Sequence, residues 1–173
     1  MNVKALHRTD AASAVDILRS GFDLNKFGSA TKKTGMARDF NYHPKGIFLS
    51  QDEGANPAQL PPHPWDSKDR GVYIFGTANL NKPLELTSQM DGIFYQKWLS
   101  DKYGGKAKAQ LTAALLKDGY DGIYVTDLGE IIVFDPDSFP IDKARSIQSY
   151  RTYQAWKNPK GQGFKEWLAE QEQ

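Results

Sequence analysis

The chain has 173 residues, 39% of them apolar and 25% charged, and a formal net charge of +1. Such a length predicts one domain with a single core, and the near-balanced charge removes any bulk electrostatic attraction to nucleic acid. The absence of cysteine excludes a disulfide framework and a thiolate nucleophile, and no apolar run approaches the roughly 18 residues of a membrane span.

Residues 1–10 lack the apolar stretch of a signal peptide, which together with the missing cysteines predicts a cytoplasmic protein. Val3-Lys4-Ala5-Leu6 predicts a short strand ending at His7-Arg8-Thr9. Asp10 is a suitable N-cap, and Ala11, Ala14, Val15 and Leu18 recur at helical spacing. Gly21 is placed to cap that helix at its C-terminal end. Residues 22–45 are polar and aperiodic, a long irregular stretch of the kind that is often functional. Lys32, Lys33 and Arg38 in it are candidates for pyrophosphate or target contact, with a solvated loop as the default.

Gly46 to Ser50 is the next expected strand. A proline-rich loop (Pro57, Pro61, Pro62, Pro64) leads to Gly71-Val72-Tyr73-Ile74-Phe75-Gly76, which is apolar on both faces and expected at the centre of a sheet. A helix is predicted over residues 88–103 around Ile93, Phe94 and Trp98. A second one carries Ala107, Leu111, Ala114 and Leu115 on one stripe and stops at Gly119. Gly122 to Thr126 and Glu130 to Phe134 then predict a hairpin about Asp127-Leu128-Gly129. Phe164, Trp167 and Leu168 suggest a short terminal helix. With no repeat and no interdomain linker, the expected architecture is a single α+β domain over 1–173.

Glu130 is the chemical signal in this pattern. Side chains alternate along a strand, so it shares a face with Ile132 and Phe134 and stands half shielded at the rim of the sheet. Taken alone it reads as a solvated acid beside a turn, and His7 alone reads as a strand-end histidine bonded to backbone. Phe48 belongs to the core on any reading. Ser50 either ends a strand or offers a hydroxyl to a ligand. His43 and His63 have no ligand spacing with His7, so zinc is not expected. Asp135-Pro136-Asp137 is ordinary turn chemistry. Trp156, Lys157, Lys160 and Lys165 form a mildly basic aromatic tail, for which packing is the default and nucleic-acid contact the lesser reading.

Taken in order, four segments resemble the ADP-ribosyltransferase fold, in the His-Tyr-Glu branch that includes poly(ADP-ribose) polymerases and diphtheria-type toxins. They are Leu6-His7-Arg8-Thr9 with the later Gly21-Phe22, then Gly46-Ile47-Phe48-Leu49-Ser50, the strand from Gly71 that runs on to Leu80, and Glu130-Ile131-Ile132-Val133-Phe134. Gly119-Tyr120-Asp121-Gly122 is also similar to bacterial and phage members. Such a fold implies a split antiparallel β-sheet core with flanking helices, here over about residues 3–141, with 142–173 as a C-terminal extension.

The resemblance implies NAD as co-substrate, no metal, and transfer of ADP-ribose to a macromolecular acceptor, a protein ahead of nucleic acid. Membranes have no part in it, and a bacterial or phage effector, expressed in or delivered into a host cell, is the expected setting. Glu130 would be catalytic, Phe48 would stack on nicotinamide, and His7 would bond the adenosine-side ribose. Arg8, Thr9 and Ser50 would complete the NAD-binding set, Arg8 through its backbone and Ser50 through the carboxamide. Two positions depart from the family pattern: Arg8 stands for its glycine and Phe48 for its tyrosine. Leu128 occupies the position where arginine-modifying relatives carry Glu or Gln, which makes arginine a less favoured target. Two alternatives stay open: a binding module on the same fold, and a tRNA 2′-phosphotransferase-like enzyme.

Overall fold

Strand β1 (Asn2–Thr9) lies inside a six-stranded sheet, between β2 (Ile47–Gln51) and β3 (Val72–Asn79). The computed structural model describes residues 1–9, 11–26, 42–52 and 72–146. Expectations for Asp10, for the basic loop of Lys32, Lys33 and Arg38, for the proline-rich loop, for His63 and for the C-terminal aromatic tail lie outside the described residues.

The remaining strands are β4 (Pro83–Leu86), β7 (Gly122–Val125) and β8 (Glu130–Val133), in the order β3-β1-β2-β8-β7-β4. Gln89–Met90 and Ile93–Phe94 pair separately as β5 and β6. Helix α1 (Ala11–Ser20) follows β1, while α2 (Tyr95–Lys102) and α3 (Lys108–Lys117) connect β6 to β7.

Four ladders of the main sheet are antiparallel, and β4·β7 is parallel. The sheet is therefore mixed rather than wholly antiparallel. A parallel pair needs a long crossover, here supplied by the hairpin, α2 and α3. Asp121 fixes its start by accepting the N–H groups of Asn81 at 2.6 Å and Lys82 at 3.0 Å.

The run Ile131-Ile132-Val133 is apolar throughout because β8 is covered on both faces. Ile131 and Val133 pack with Ala5, Ile47, Leu49, Ile74 and Phe139 under α1. Ile132 points the other way, into a cluster with Tyr95, Leu99, Leu111, Leu115 and Ile123 under α2 and α3. Gly21 ends α1 at φ +82°, with its N–H on Ile17 O at 2.8 Å, as expected from its position.

Two expectations are corrected. Strand β3 is at an edge, not the centre, of the sheet. Its outer edge is closed by the chain beyond Phe139: Thr77 N–H reaches Pro140 O at 3.2 Å, Asp142 N–H reaches Phe75 O at 2.7 Å, and Ser146 Oγ accepts Phe75 N–H at 3.0 Å. Its faces are covered as well, Ile74 packing in the cluster under α1 and Phe75 lying beneath the Arg145 guanidinium. The helix expected from residue 88 starts only at Tyr95. Asp91 and Gly92, at φ 53° and 75°, form a tight turn that makes the preceding residues a hairpin.

Candidate functional site

The three strands that carry the candidate residues are neighbours, in the order β1-β2-β8. The β2·β8 ladder pairs Ser50 with Glu130 and Phe48 with Ile132. Partners across a ladder share a face, so Ser50, Phe48 and Glu130 face the same side, the side of α2 and α3. Leu6 pairs with Ser50 and continues that row onto β1.

Glu130 is half-buried where β8 begins, just after the turn at residues 126–129. The Tyr95 hydroxyl donates to its Oε2 at 2.5 Å, and Gln96 Nε2 donates to the Tyr95 oxygen at 3.1 Å. Tyr95 is fully buried and Gln96 nearly so. Burial pushes the Glu130 carboxyl above the ordinary glutamate range, while the hydrogen bond from Tyr95 opposes that rise. The Tyr95 hydroxyl is held far above its usual range, first by burial and then by the adjacent carboxylate, so it remains a proton donor at every working pH.

The hairpin before α2 is tied to the turn before Glu130. Ser88 donates its N–H to Asp127 Oδ1 at 2.7 Å and its hydroxyl to Oδ2 at 2.5 Å, while Tyr95 N–H reaches Ser88 O at 2.9 Å. The hydroxyl of Ser88 holds the Asp127 carboxyl below its ordinary range. Tyr95 and Glu130 are thus brought together at the side chain and again through Ser88 and Asp127.

Phe48 is partly buried against the same cluster, and the His43 ring lies 4.8 Å from it, tilted by 35°. Helix α3 holds the segment leading into β2: Lys108 N–H donates to His43 O at 2.6 Å, and Thr112 Oγ1 donates to Lys45 O at 2.7 Å. Ser50 is exposed beside Glu130.

His7 is placed differently. It follows Leu6 by one residue and therefore belongs to the α1 face, opposite Glu130. Its ring meets Phe22 edge-on at 5.1 Å, and Nδ1 lies 2.8 Å from Phe48 O. A carbonyl can only accept, so Nδ1 carries the proton of that bond and Nε2 is the acceptor in the neutral ring. Thr9 is buried, on the same side of β1 as His7. Arg8 points to the Glu130 side, with its guanidinium carbon 5.9 Å from the Tyr73 ring centroid. The structure thus gathers Glu130, Ser50 and Phe48 on one face and puts His7 and Thr9 on the other.

The seam between β1 and β2 joins the two groups. These strands share only the pairs Ala5↔Gln51 and Leu6↔Ser50, whereas β1 pairs with β3 over eight residues. The ladder between β1 and β2 stops at Leu6, and the next link between these strands is the bond from His7 Nδ1 to Phe48 O. A cavity of about 410 Å³ lies elsewhere, between the end of α1, Phe22 and Phe139. It is on the face away from Glu130 and holds none of the candidate residues.

Among the described residues no group of three or more His, Asp or Glu is placed to hold a metal ion, and no helix is long and apolar enough to cross a membrane. Tyr95, Gln96 and His43 are the neighbours that sequence reasoning did not assign to the site. Searches against family models, curated proteins and solved structures each return no match to this chain.

Proposed function

We propose that this protein is an NAD-dependent ADP-ribosyltransferase that moves ADP-ribose to a macromolecular acceptor, a protein first among the candidates. The observation that carries the reading is the adjacency of β1, β2 and β8, with half-buried Glu130 on the same face as Ser50 and Phe48. Departure of nicotinamide breaks the bond from its ring nitrogen to the ribose and leaves an oxocarbenium-like sugar. A carboxylate in a partly dry site stabilises that positive charge and orients an attacking nucleophile, whose proton it can accept.

The other residues fit this chemistry in simple roles. The Phe48 ring offers a stacking face, worth about 0.5–1.5 kcal/mol beyond burial. Ser50 supplies a hydroxyl next to the acid, placed to bond a carboxamide. His7 Nε2 would accept from a ribose hydroxyl only if the dinucleotide runs across the seam, because its ring belongs to the opposite face.

The position of His7 favours a second reading, in which the fold binds NAD or ADP-ribose, or a partner protein, without turnover. Incubation with labelled NAD and cell lysate separates the two. Transfer predicts label on protein that disappears in Glu130→Gln. Intact NAD, together with biological activity unchanged in Glu130→Gln, would favour the binding module, and label on nucleic acid would redirect the acceptor.

A further inference from the structure

We propose that Tyr95 is a positioning residue for Glu130, fixing which carboxylate oxygen is offered to substrate inside a partly dry site. The inference deepens the transferase reading and rests on it for the reaction, though the hold on Glu130 is testable without any reaction.

Three features carry it. First, the Tyr95 hydroxyl is wholly enclosed, and its 2.5 Å bond to Oε2 spans 35 residues of sequence. Second, the direction of that bond is determined. Gln96 Nε2 donates to the phenolic oxygen, so the single hydroxyl proton is committed to Glu130. Third, Gln96 is itself 4% exposed, and its Oε1 has no hydrogen-bond partner among the described residues. Leaving a buried acceptor without a partner is unfavourable. The Gln96 amide is therefore arranged to aim Tyr95 rather than to satisfy itself.

With Oε2 occupied by Tyr95, Oε1 is the oxygen left for a ribose hydroxyl. The donated hydrogen bond favours the charged carboxylate and offsets part of its desolvation. Without it, burial acts unopposed and Glu130 binds its proton more tightly. Tyr95 touches the acid, not the reacting sugar, so its effect passes entirely through Glu130.

The test replaces the donor without emptying the site. Tyr95→Phe retains the ring, and incorporation of 3-fluorotyrosine at position 95 gives a more acidic, stronger donor in nearly the same volume. The Glu130 carboxyl is followed by carbon-13 NMR titration of the full chain without NAD, with Glu130→Gln to assign the resonance. In Tyr95→Phe the titration midpoint should rise by about one pH unit, and with fluorotyrosine it should fall. Opposite shifts are not expected of a purely structural residue. A midpoint unmoved in both variants overturns the proposal.

NAD hydrolysis supplies the second readout. The acid limb of kcat against pH should follow the NMR midpoint in each variant, while KM changes less than threefold. A limb that stays fixed while the midpoint moves overturns the role in the reaction. If the wild-type chain turns over no NAD at all, the transferase reading fails, and the titration alone decides whether Tyr95 governs the acid. Should Tyr95→Phe fail to fold, the fluorotyrosine protein decides both readouts.

Discussion

Ser50 and Glu130 face each other across the β2·β8 ladder, one exposed and the other half-buried. The pair places a neutral hydroxyl beside an acid whose charge is disfavoured by burial. On the proposed transferase reading, Ser50→Ala should raise KM for NAD several-fold and leave kcat within about threefold, because the hydroxyl would contact ligand in ground and transition states alike. Steady-state hydrolysis checks this, and an equal fall in kcat and kcat/KM would assign the serine to the transition state instead.

Glu130→Gln should lower kcat by about 100- to 10,000-fold, the range of a positioned acid–base group. It should not lower the melting temperature, because a neutral amide keeps an acceptor for Tyr95 and removes the desolvation of a charge. Calorimetry beside the activity assay tests both halves. A melting point many degrees lower would make Glu130 a structural residue.

The stability of the wild-type chain relative to Glu130→Gln should depend on pH with a defined sign. The folded protein raises the Glu130 pKa, so folding binds a proton more tightly than the unfolded chain does. The contribution of Glu130 is fully present below the ordinary glutamate value of 4.5 and is lost as pH rises through the folded-state value. Melting curves from about pH 4 to pH 7 should show the variant gaining on the wild type, and a gap that closes in the other direction contradicts the argument.

Arg145 and Lys97 should differ sharply on mutation. The Arg145 guanidinium pairs with Asp52, whose side chain is 1% exposed, and lies 4.1 Å over the Phe75 ring. Truncating it weakens the compensation of a buried charge, which can cost about 3–5 kcal/mol. Lys97 and Asp101 are both largely exposed, so Lys97→Ala should leave stability almost unchanged. Urea titration of the two variants gives the comparison, and similar midpoints would show that the Asp52 pair contributes nothing special.

Gly76→Ala should destabilise the protein by at least about 1–3 kcal/mol, as overpacking does. A Cβ there would lie 2.4 Å from Pro140 O and 2.7 Å from the Phe139 ring, and neither can withdraw without lifting the cover from β3. Gly21→Ala meets nothing within 4 Å, so only its positive φ opposes the change. Thermal melts of both variants should rank Gly76→Ala lower, and equal values would mean that the cover yields freely.

The strand landmarks were legible because local composition states them: Ile131, Ile132 and Val133 are apolar on both faces, and the Asp127-Leu128-Gly129 turn joins β7 to β8. The edge position of β3 was not legible, since its outer backbone groups are bonded by residues 140–146, some 65 positions away. Asp91-Gly92 was a readable hairpin turn, outweighed by the apparent helical spacing of Ile93, Phe94 and Trp98. The opposition of His7 to Glu130 depends on ladder register, and a one-residue slip would reverse it. Tyr95 carried no local sign at all. A tyrosine at the head of a helix becomes informative only when its hydroxyl is seen to meet an acid.

Strand β8 is the last of the sheet to emerge in the order of synthesis, yet it sits between β2 and β7. Until roughly 130 residues have been made, those two neighbours each present an open edge, and nothing made earlier can close the gap between them. The acid of the candidate site therefore arrives on the same strand that completes the sheet. A fragment ending before that point would carry two unpaired templates for association, and a purified fragment ending near residue 128 should recruit holding chaperones more strongly than one extended past Phe134.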